Sequence, residues 1–314
     1  MCEEQQKEKG NGKKKWKVLV VPCVCALMGI GAVTVMRSLQ PKGCWDYTIQ
    51  MEQYYVEYSD EFEYWDVLTV EYPRLQDADT ELQEKINEAL YNTAMDRVNY
   101  WHLSPDEEVQ EFQQDYFSIF CSDVQTDVPF HSQYLLSADY KELYSAGNPV
   151  WYTMITERAV NVDLLTGEIY ELGDILTIDE EFIELWCDAA LKKYGEPFEG
   201  SQEEQELFLS WFLDEDEDVK ELYQLGNFFY PTGDGTFNIG LTYDPRPVAI
   251  RAMKPRDIIF SVELGADQLA LFRTESEFWE KYDRSEQTGQ ISECEELQTN
   301  LWLDDDAGVW DYWE

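Results

Sequence analysis

The stretch LTVEYPRLQDADTELQEKINEAL, residues 68–90, changes its period halfway along. In its first part Leu68, Val70 and Tyr72 alternate with Thr69 and Glu71. That is the two-residue period of a strand, and Pro73 is expected to close it. In its second part Leu82, Ile86 and Leu90 recur every four residues, a spacing that Ala94 continues, with Ala89 beside the stripe. Thr80 and Gln83 have capping-box spacing. The segment therefore predicts a strand followed by an amphipathic helix whose apolar stripe lies on a sheet.

Working outward, Trp45, Tyr47, Ile49 and Met51 alternate with polar residues and predict an earlier strand. After the helix, Ser104, Pro105 and Glu107 have the spacing of a cap, a first helical position and a third position. Residues 116–163 read as strands rich in aromatic and branched side chains, and Leu165-Thr166-Gly167 reads as a turn from which EIYELGDIL returns as the second arm of a hairpin. A helix is expected from Thr177, with Glu180 in capping-box register. Phe182, Leu185, Trp186, Ala189 and Ala190 are its buried face, Lys192 and Lys193 stand near its end, and Gly195 terminates it. Ser201 and Glu204 start another helix, through Phe212. A hairpin turning at Gly233-Asp234-Gly235 follows, with Phe237, Ile239, Leu241 and Tyr243 on one face, then a strand IIFSVEL and a short helix ESEFWEKYD. Runs of strands and helices segregated in this way predict an α+β fold, helices packed on one face of a largely antiparallel sheet.

Ahead of that body, Val18 to Met36 are uncharged and span roughly 28 Å as a helix, close to the thickness of a bilayer's hydrocarbon. Lys7, Lys9, Lys13, Lys14, Lys15 and Lys17 precede the run, and only Arg37 and Lys42 follow closely. The positive-inside bias predicts a cytoplasmic head (1–17), a transmembrane anchor (18–36) and an exported remainder. A cleaved signal peptide would carry a shorter apolar region and an A-x-A-like site. The remainder divides on sequence into a strand–helix part (37–120), an α+β part (121–275) and an acidic, aromatic tail (276–314).

The chain carries a formal net charge of -42, with 11 Trp, 20 Tyr and 15 Phe. So aromatic an acidic chain is expected to be globular rather than a disordered tail. From Gly43 onward 62 acidic residues face 15 basic ones, a field that repels nucleic acid and attracts cationic proteins and peptides. Cys44, Cys121, Cys187 and Cys294 are widely spaced, so no zinc or redox motif is indicated, and disulfides among them stay open; Cys187, within a helical pattern, reads as a small buried hydrophobe. No cofactor motif is present.

His102 and His131 are the two histidines, and neither has a metal-type partner at helical or hairpin spacing. No nucleophile frame such as G-x-S-x-G occurs. The acidic runs Asp214–Asp218 and Asp304–Asp306 lack the calcium-loop pattern. No catalytic, metal-binding or cofactor-binding residue is therefore assigned, and no enzyme activity is expected. A glycosidase would need two carboxylates in a cleft, and this sequence offers too many to choose between.

Two stretches carry a family resemblance: LTVEYPRLQDADTELQEKINEAL, and AVNVDLLTGEIYELGDIL with the later NFFYPTGDGTFNIGLTY and IIFSVEL. Together, over roughly residues 50–270, they resemble the extracytoplasmic region of RsiV-like anti-sigma factors of Gram-positive bacteria. They also resemble the paired domains of unknown function ahead of some peptidoglycan deacetylases. The resemblance implies a sensor or binder, with a lysozyme-like protein as ligand. Ala146-Gly147-Asn148-Pro149 stands where that family often has a Gly-Gly-Ala-His-Pro-like stretch, without the histidine. A head of seventeen residues is short for covering a sigma factor, since interfaces use about 20–30 residues a side. The expectation is a membrane-anchored extracytoplasmic domain for a cationic ligand. The alternatives are a glycan-processing enzyme or its targeting module, and a structural surface domain.

Overall fold

A computed structural model describes residues 36–37, 47–59, 65–76, 80–115, 119–147, 152–195, 200–251 and 259–285. Six strands form one sheet in chain order: β1 (Met36–Arg37), β2 (Thr48–Ser59), β3 (Trp65–Gln76), β4 (Ile119–His131), β5 (Leu135–Gly147) and β6 (Tyr152–Asp163). All neighbours are antiparallel except β3 and β4, which run parallel. A parallel step needs a crossover, and α1 (Thr80–Val98), a π-helical turn (Asn99–Leu103) and α2 (Glu107–Asp115) supply it. The strand–helix switch at 68–90 is this crossover's beginning.

α1 lies on one face of the sheet. Ile86, Leu90, Ala94, Met95 and Val98 pack with Leu68, Val70, Val124, Leu136, Ala138, Tyr140, Val160 and Val162 in one core. Two polar pins set its position. The Asn87 side chain accepts from the Leu75 N–H at 2.7 Å and donates to the Leu75 carbonyl at 3.0 Å, acting as a substitute strand partner. Tyr140 donates to the Leu90 carbonyl at 3.0 Å.

A second sheet holds β7 (Tyr223–Pro231), β8 (Thr236–Pro245) and β9 (Ile259–Gly265), all antiparallel. Packed with it are α3 (Leu172–Ile175), α4 (Glu180–Tyr194), α5 (Gln202–Phe212) and α8 (Glu277–Arg284), while α6 (Glu217–Lys220) and α7 (Pro247–Arg251) are short connectors. Trp186, buried at the centre, donates its indole N–H to the Ile239 carbonyl at 3.0 Å. Gly240 lies against the Phe228 ring; a Cβ there would stand 2.3 Å from it. The fold is thus mixed α+β with antiparallel-rich sheets, and two sheets replace the expected single one because α3, α4, α5 and α8 require an apolar surface of their own.

Several local expectations are corrected. β3 continues through Pro73 to Gln76. The ladder with β4 ends at Val70, so the missing N–H of Pro73 forfeits no ladder bond on that side. Asp106, not Ser104, caps α2, accepting from the Val109 N–H at 2.9 Å. Asp179, not Thr177, caps α4, accepting from the Phe182 N–H at 2.9 Å. The buried face of α4 is Phe182, Ile183, Trp186, Cys187 and Ala190, with Leu185 and Ala189 only partly buried. The segment after Gly167 makes a single bridge, Val162 to Ile169, and then turns into α3 rather than a full return strand.

No helix among the described residues is long and apolar enough to cross a membrane. Residues 18–35 of the expected anchor lie outside the described residues, and Met36, its last residue, pairs with Ile49 in β1. Residues 120 and 121, between which the sequence suggests a division, are consecutive in β4. Residues 277–284 of the expected tail form α8, with Phe278 and Trp279 in the second core; residues 286–314 lie outside the described set.

Candidate functional site

Strand period and register determine which side chains share the sheet face opposite α1. Tyr55 pairs with Thr69, and Thr69 with Asp123. Gln53 pairs with Glu71, Gln125 with Lys141, and Lys141 with Glu157. Asp127 pairs with Asp139. Because paired residues point the same way, Glu71, Asp123, Asp127, Asp139 and Glu157 form an acidic row across four adjacent strands. Glu71, two residues past Thr69, falls between Asp123 and Asp127 of the neighbouring strand.

The row runs from open surface into the junction between the sheets. Tyr55 is 51 % exposed, and Gln53 and Asp127 are exposed too. Asp139 and Glu157, at 3 % and 5 %, lie beneath the second sheet. There Tyr230 donates to Glu157 Oε1 at 3.4 Å and accepts from the Asn238 amide at 2.5 Å, while Asn161 donates to the Phe229 carbonyl at 2.8 Å.

Like charges this close raise one another's affinity for protons. Burial, then Asp123 and Asp127, push the Glu71 carboxyl up to about 7. Burial lifts Asp123 to about 6. Burial and then Glu157 hold Asp139 well above the usual carboxylate range; Glu157 is also raised by burial, and the two carboxyls share a hydrogen bond. Lys141 Nζ stands 4.0 Å from Asp139 Oδ2. Three buried oxygens of the row, Glu71 Oε2, Asp123 Oδ2 and Asp139 Oδ1, accept no hydrogen bond from any described residue. Among the described residues no group of three or more His, Cys, Asp or Glu side chains converges as a metal site.

The residues weighed from sequence have other work. His131 is buried beside Tyr47 Oη at 3.3 Å, and His102 Nε2 stands 3.2 Å from Ser122 Oγ. Burial pushes both imidazoles down to about 4, so both are neutral at pH 7. Within the 214–218 run Asp216 caps α6, and Lys220 joins Asp214 and Glu217. Asp234 accepts from the Thr236 N–H at 3.1 Å and organises a turn. Residues 304–306 lie outside the described residues. Cys187 is a free, buried thiol. A shallow concavity of 740 Å³ near Lys85, Ile169, Tyr170 and Glu275 includes none of the acidic row. Sequence reading did not single out the row, since each member sits at an ordinary outward position and only cross-strand register gathers them.

No family model matches the chain, and no curated protein matches it. Solved structures do. A DUF3298 family member from Bacteroides fragilis is 13% identical over 73% of this chain and 95% of that one, with a TM-score of 0.44. A DUF3298 family protein from Pseudomonas aeruginosa PAO1 is 11% identical over 72% of this chain and 94% of that one, with a TM-score of 0.40. These structural neighbours belong to a domain of unknown function.

Proposed function

We propose that the chain is a membrane-anchored extracytoplasmic sensor or binding protein for a cationic protein ligand, with a lysozyme-like protein as first candidate. The observation that carries the reading is the acidic row, whose open end lies on a sheet face bearing an exposed tyrosine in a chain of net charge -42. Such a field raises the encounter rate of a basic partner, and close charge pairs then set its orientation. The lysine-flanked apolar run before the domain supports attachment to a membrane with the domain exported.

The alternative of a glycan-processing enzyme would draw on Asp139 and Glu157. Both are buried under the second sheet, whereas a carboxyl that protonates a glycosidic oxygen must reach its substrate. Binding is therefore favoured over catalysis.

The test is titration of the full chain, in detergent micelles, with a lysozyme. Binding that weakens by at least ~10-fold between about 0.05 and 0.5 M NaCl supports the reading, because screening length shortens over that range. Absence of binding at both salt concentrations rejects lysozyme as the ligand. Protease added to intact cells should degrade the domain; protection until the cells are permeabilised would reject the topology.

A further inference from the structure

We propose that a single proton, shared between Asp139 and Glu157, clasps the first sheet to the second, and that its loss loosens the hairpin end of β7 and β8. This clasp concerns the junction alone and does not depend on what the chain binds.

The hydrogen bonds at the junction require that proton. Glu157 lies across from Lys141 on β5, so it sits diagonally beside Asp139 on the same face. The two carboxyls are 5 % and 3 % exposed and are hydrogen-bonded to each other. An ionised carboxylate only accepts, so one of the two carries a proton. The neighbouring bonds say which. The Asn238 amide donates to Tyr230 Oη at 2.5 Å, and Tyr230 donates its own proton to Glu157 Oε1 at 3.4 Å. Glu157, accepting from both sides, is the ionised partner, and the shared proton is on Asp139. The chain of bonds from Asp139 through Glu157 and Tyr230 to Asn238 thus crosses from β5 and β6 to β7 and β8.

The surrounding charges do not replace the proton. Lys141 Nζ, 4.0 Å from Asp139 Oδ2, is beyond hydrogen-bond distance of it. Lys193 of α4 donates to the Ser261 carbonyl at 2.9 Å and reaches Glu157 as a charge. Asp127, across from Asp139, and Glu263, across from Asn238, are exposed and add negative charge. Without the proton, two carboxylates would stand side by side in a buried contact, where their repulsion is little screened. Burial, then Glu157, hold Asp139 well above the usual carboxylate range, and burial raises Glu157. A group that holds its proton more tightly in the closed junction than in the open one favours closure at low pH, and that contribution is lost as pH rises through the closed-state value. Asn161, donating to the Phe229 carbonyl at 2.8 Å, and Arg97, paired with Asp244, do not need this proton. They keep the sheets together, so the loosening is confined to residues 230–238.

The experiment is hydrogen exchange of the full chain in detergent micelles, read by mass spectrometry at about pH 6 and about pH 9, with intrinsic exchange chemistry divided out. Residues 86–94 of α1, in the first core, are the internal reference. In native protein, exchange at 230–238 should rise at least ~10-fold more than at 86–94 between the two pH values, because one unit of pKa difference is tenfold in an equilibrium. Asp139→Asn supplies Glu157 with a permanent N–H donor and should cut that excess below ~2-fold. Glu157→Gln removes the second charge and should do the same, so the test survives if one variant fails to fold. Glu71→Gln, at the other end of the acidic row, should leave the excess unchanged. An excess under ~2-fold in native protein overturns the clasp, as does an excess retained in either folded junction variant or abolished by Glu71→Gln.

Discussion

Arg97 lies near the C-terminal end of α1 and is 3 % exposed. Its guanidinium pairs with Asp244 at the end of β8, donates to Gln224 Oε1 of β7 at 2.5 Å, and lies 4.1 Å from the centroid of the Tyr100 ring. Asp244 is itself only 5 % exposed. This contact ties the crossover helix on the first sheet to the second. Arg97→Met keeps most of the aliphatic stem but leaves the Asp244 carboxylate buried without its cation. Removing one partner of a buried pair costs about 3–5 kcal/mol. In a domain of this size each kcal/mol shifts the midpoint by about 2–4 °C, so a fall of roughly 6–20 °C is expected. The double variant R97M/D244N should be more stable than the sum of the two single losses predicts, by at least ~1.5 kcal/mol of coupling. Thermal and urea unfolding of the full chain, followed by near-UV circular dichroism, would measure all three. Because both charges are buried, the loss should persist when salt is raised. A loss below about 1 kcal/mol for R97M, or strict additivity in the double variant, would refute the reasoning.

Four further outcomes concern other contacts. Glu71 is held at about 7 against an ordinary 4.5, so the folded chain keeps its proton longer than the unfolded one. Its stabilising contribution is fully present below about pH 4.5 and is lost as pH rises through about 7. E71Q should therefore gain stability relative to native protein at pH 8 and not at pH 5, measured by urea midpoints at both; a pH-independent difference counts against the raised proton affinity of Glu71. His102 and His131 act oppositely: their contribution is present above 6.5 and lost as pH falls through about 4. Asn87→Ala removes both side-chain bonds to Leu75 and should cost about 1–3 kcal/mol; unchanged urea stability would show that β3 does not need this pin. Lys281→Met removes the cation from Asp163, which is fully buried and keeps the neutral donors Tyr170 Oη and the Leu165 N–H. Burial alone would raise Asp163, but Lys281 and the Leu165 N–H hold it below the ordinary 3.8, so its contribution is present above that pH and lost as pH falls through the lower folded value. The variant should lose about 3 kcal/mol at pH 7, and much of the difference should vanish in acid unfolding curves below pH 4.

Local order was largely legible in the sequence because it depends on neighbours in the chain. The period change at 68–90 located β3 and α1, since a stripe at every fourth residue has no use in a strand. Ser201 capped α5 as its spacing predicted, accepting from the Glu204 N–H at 3.2 Å. Gly167, expected to turn the chain, has a φ of 67°. Errors fell where two local signals competed. Ser104 and Thr177 each precede an aspartate, Asp106 and Asp179, that is closer to the first helical turn and makes the cap. At Pro73 the local rule against proline in strands failed because the ladder between β3 and β4 ends three residues earlier, at Val70.

The sequence alone determined the element types, the acidic balance and the lysine-flanked apolar head, all properties of residues within a few positions of one another. Register and sheet pairing decided the rest. A carboxylate at every second position of a strand is ordinary solvent-facing chemistry until adjacent strands align Glu71, Asp123, Asp127, Asp139 and Glu157 on one face. Electrostatic repulsion and burial fall off with distance in space, not along the chain. The acidic row therefore acquired its unsatisfied oxygens and raised proton affinity only when residues up to 86 positions apart were brought side by side.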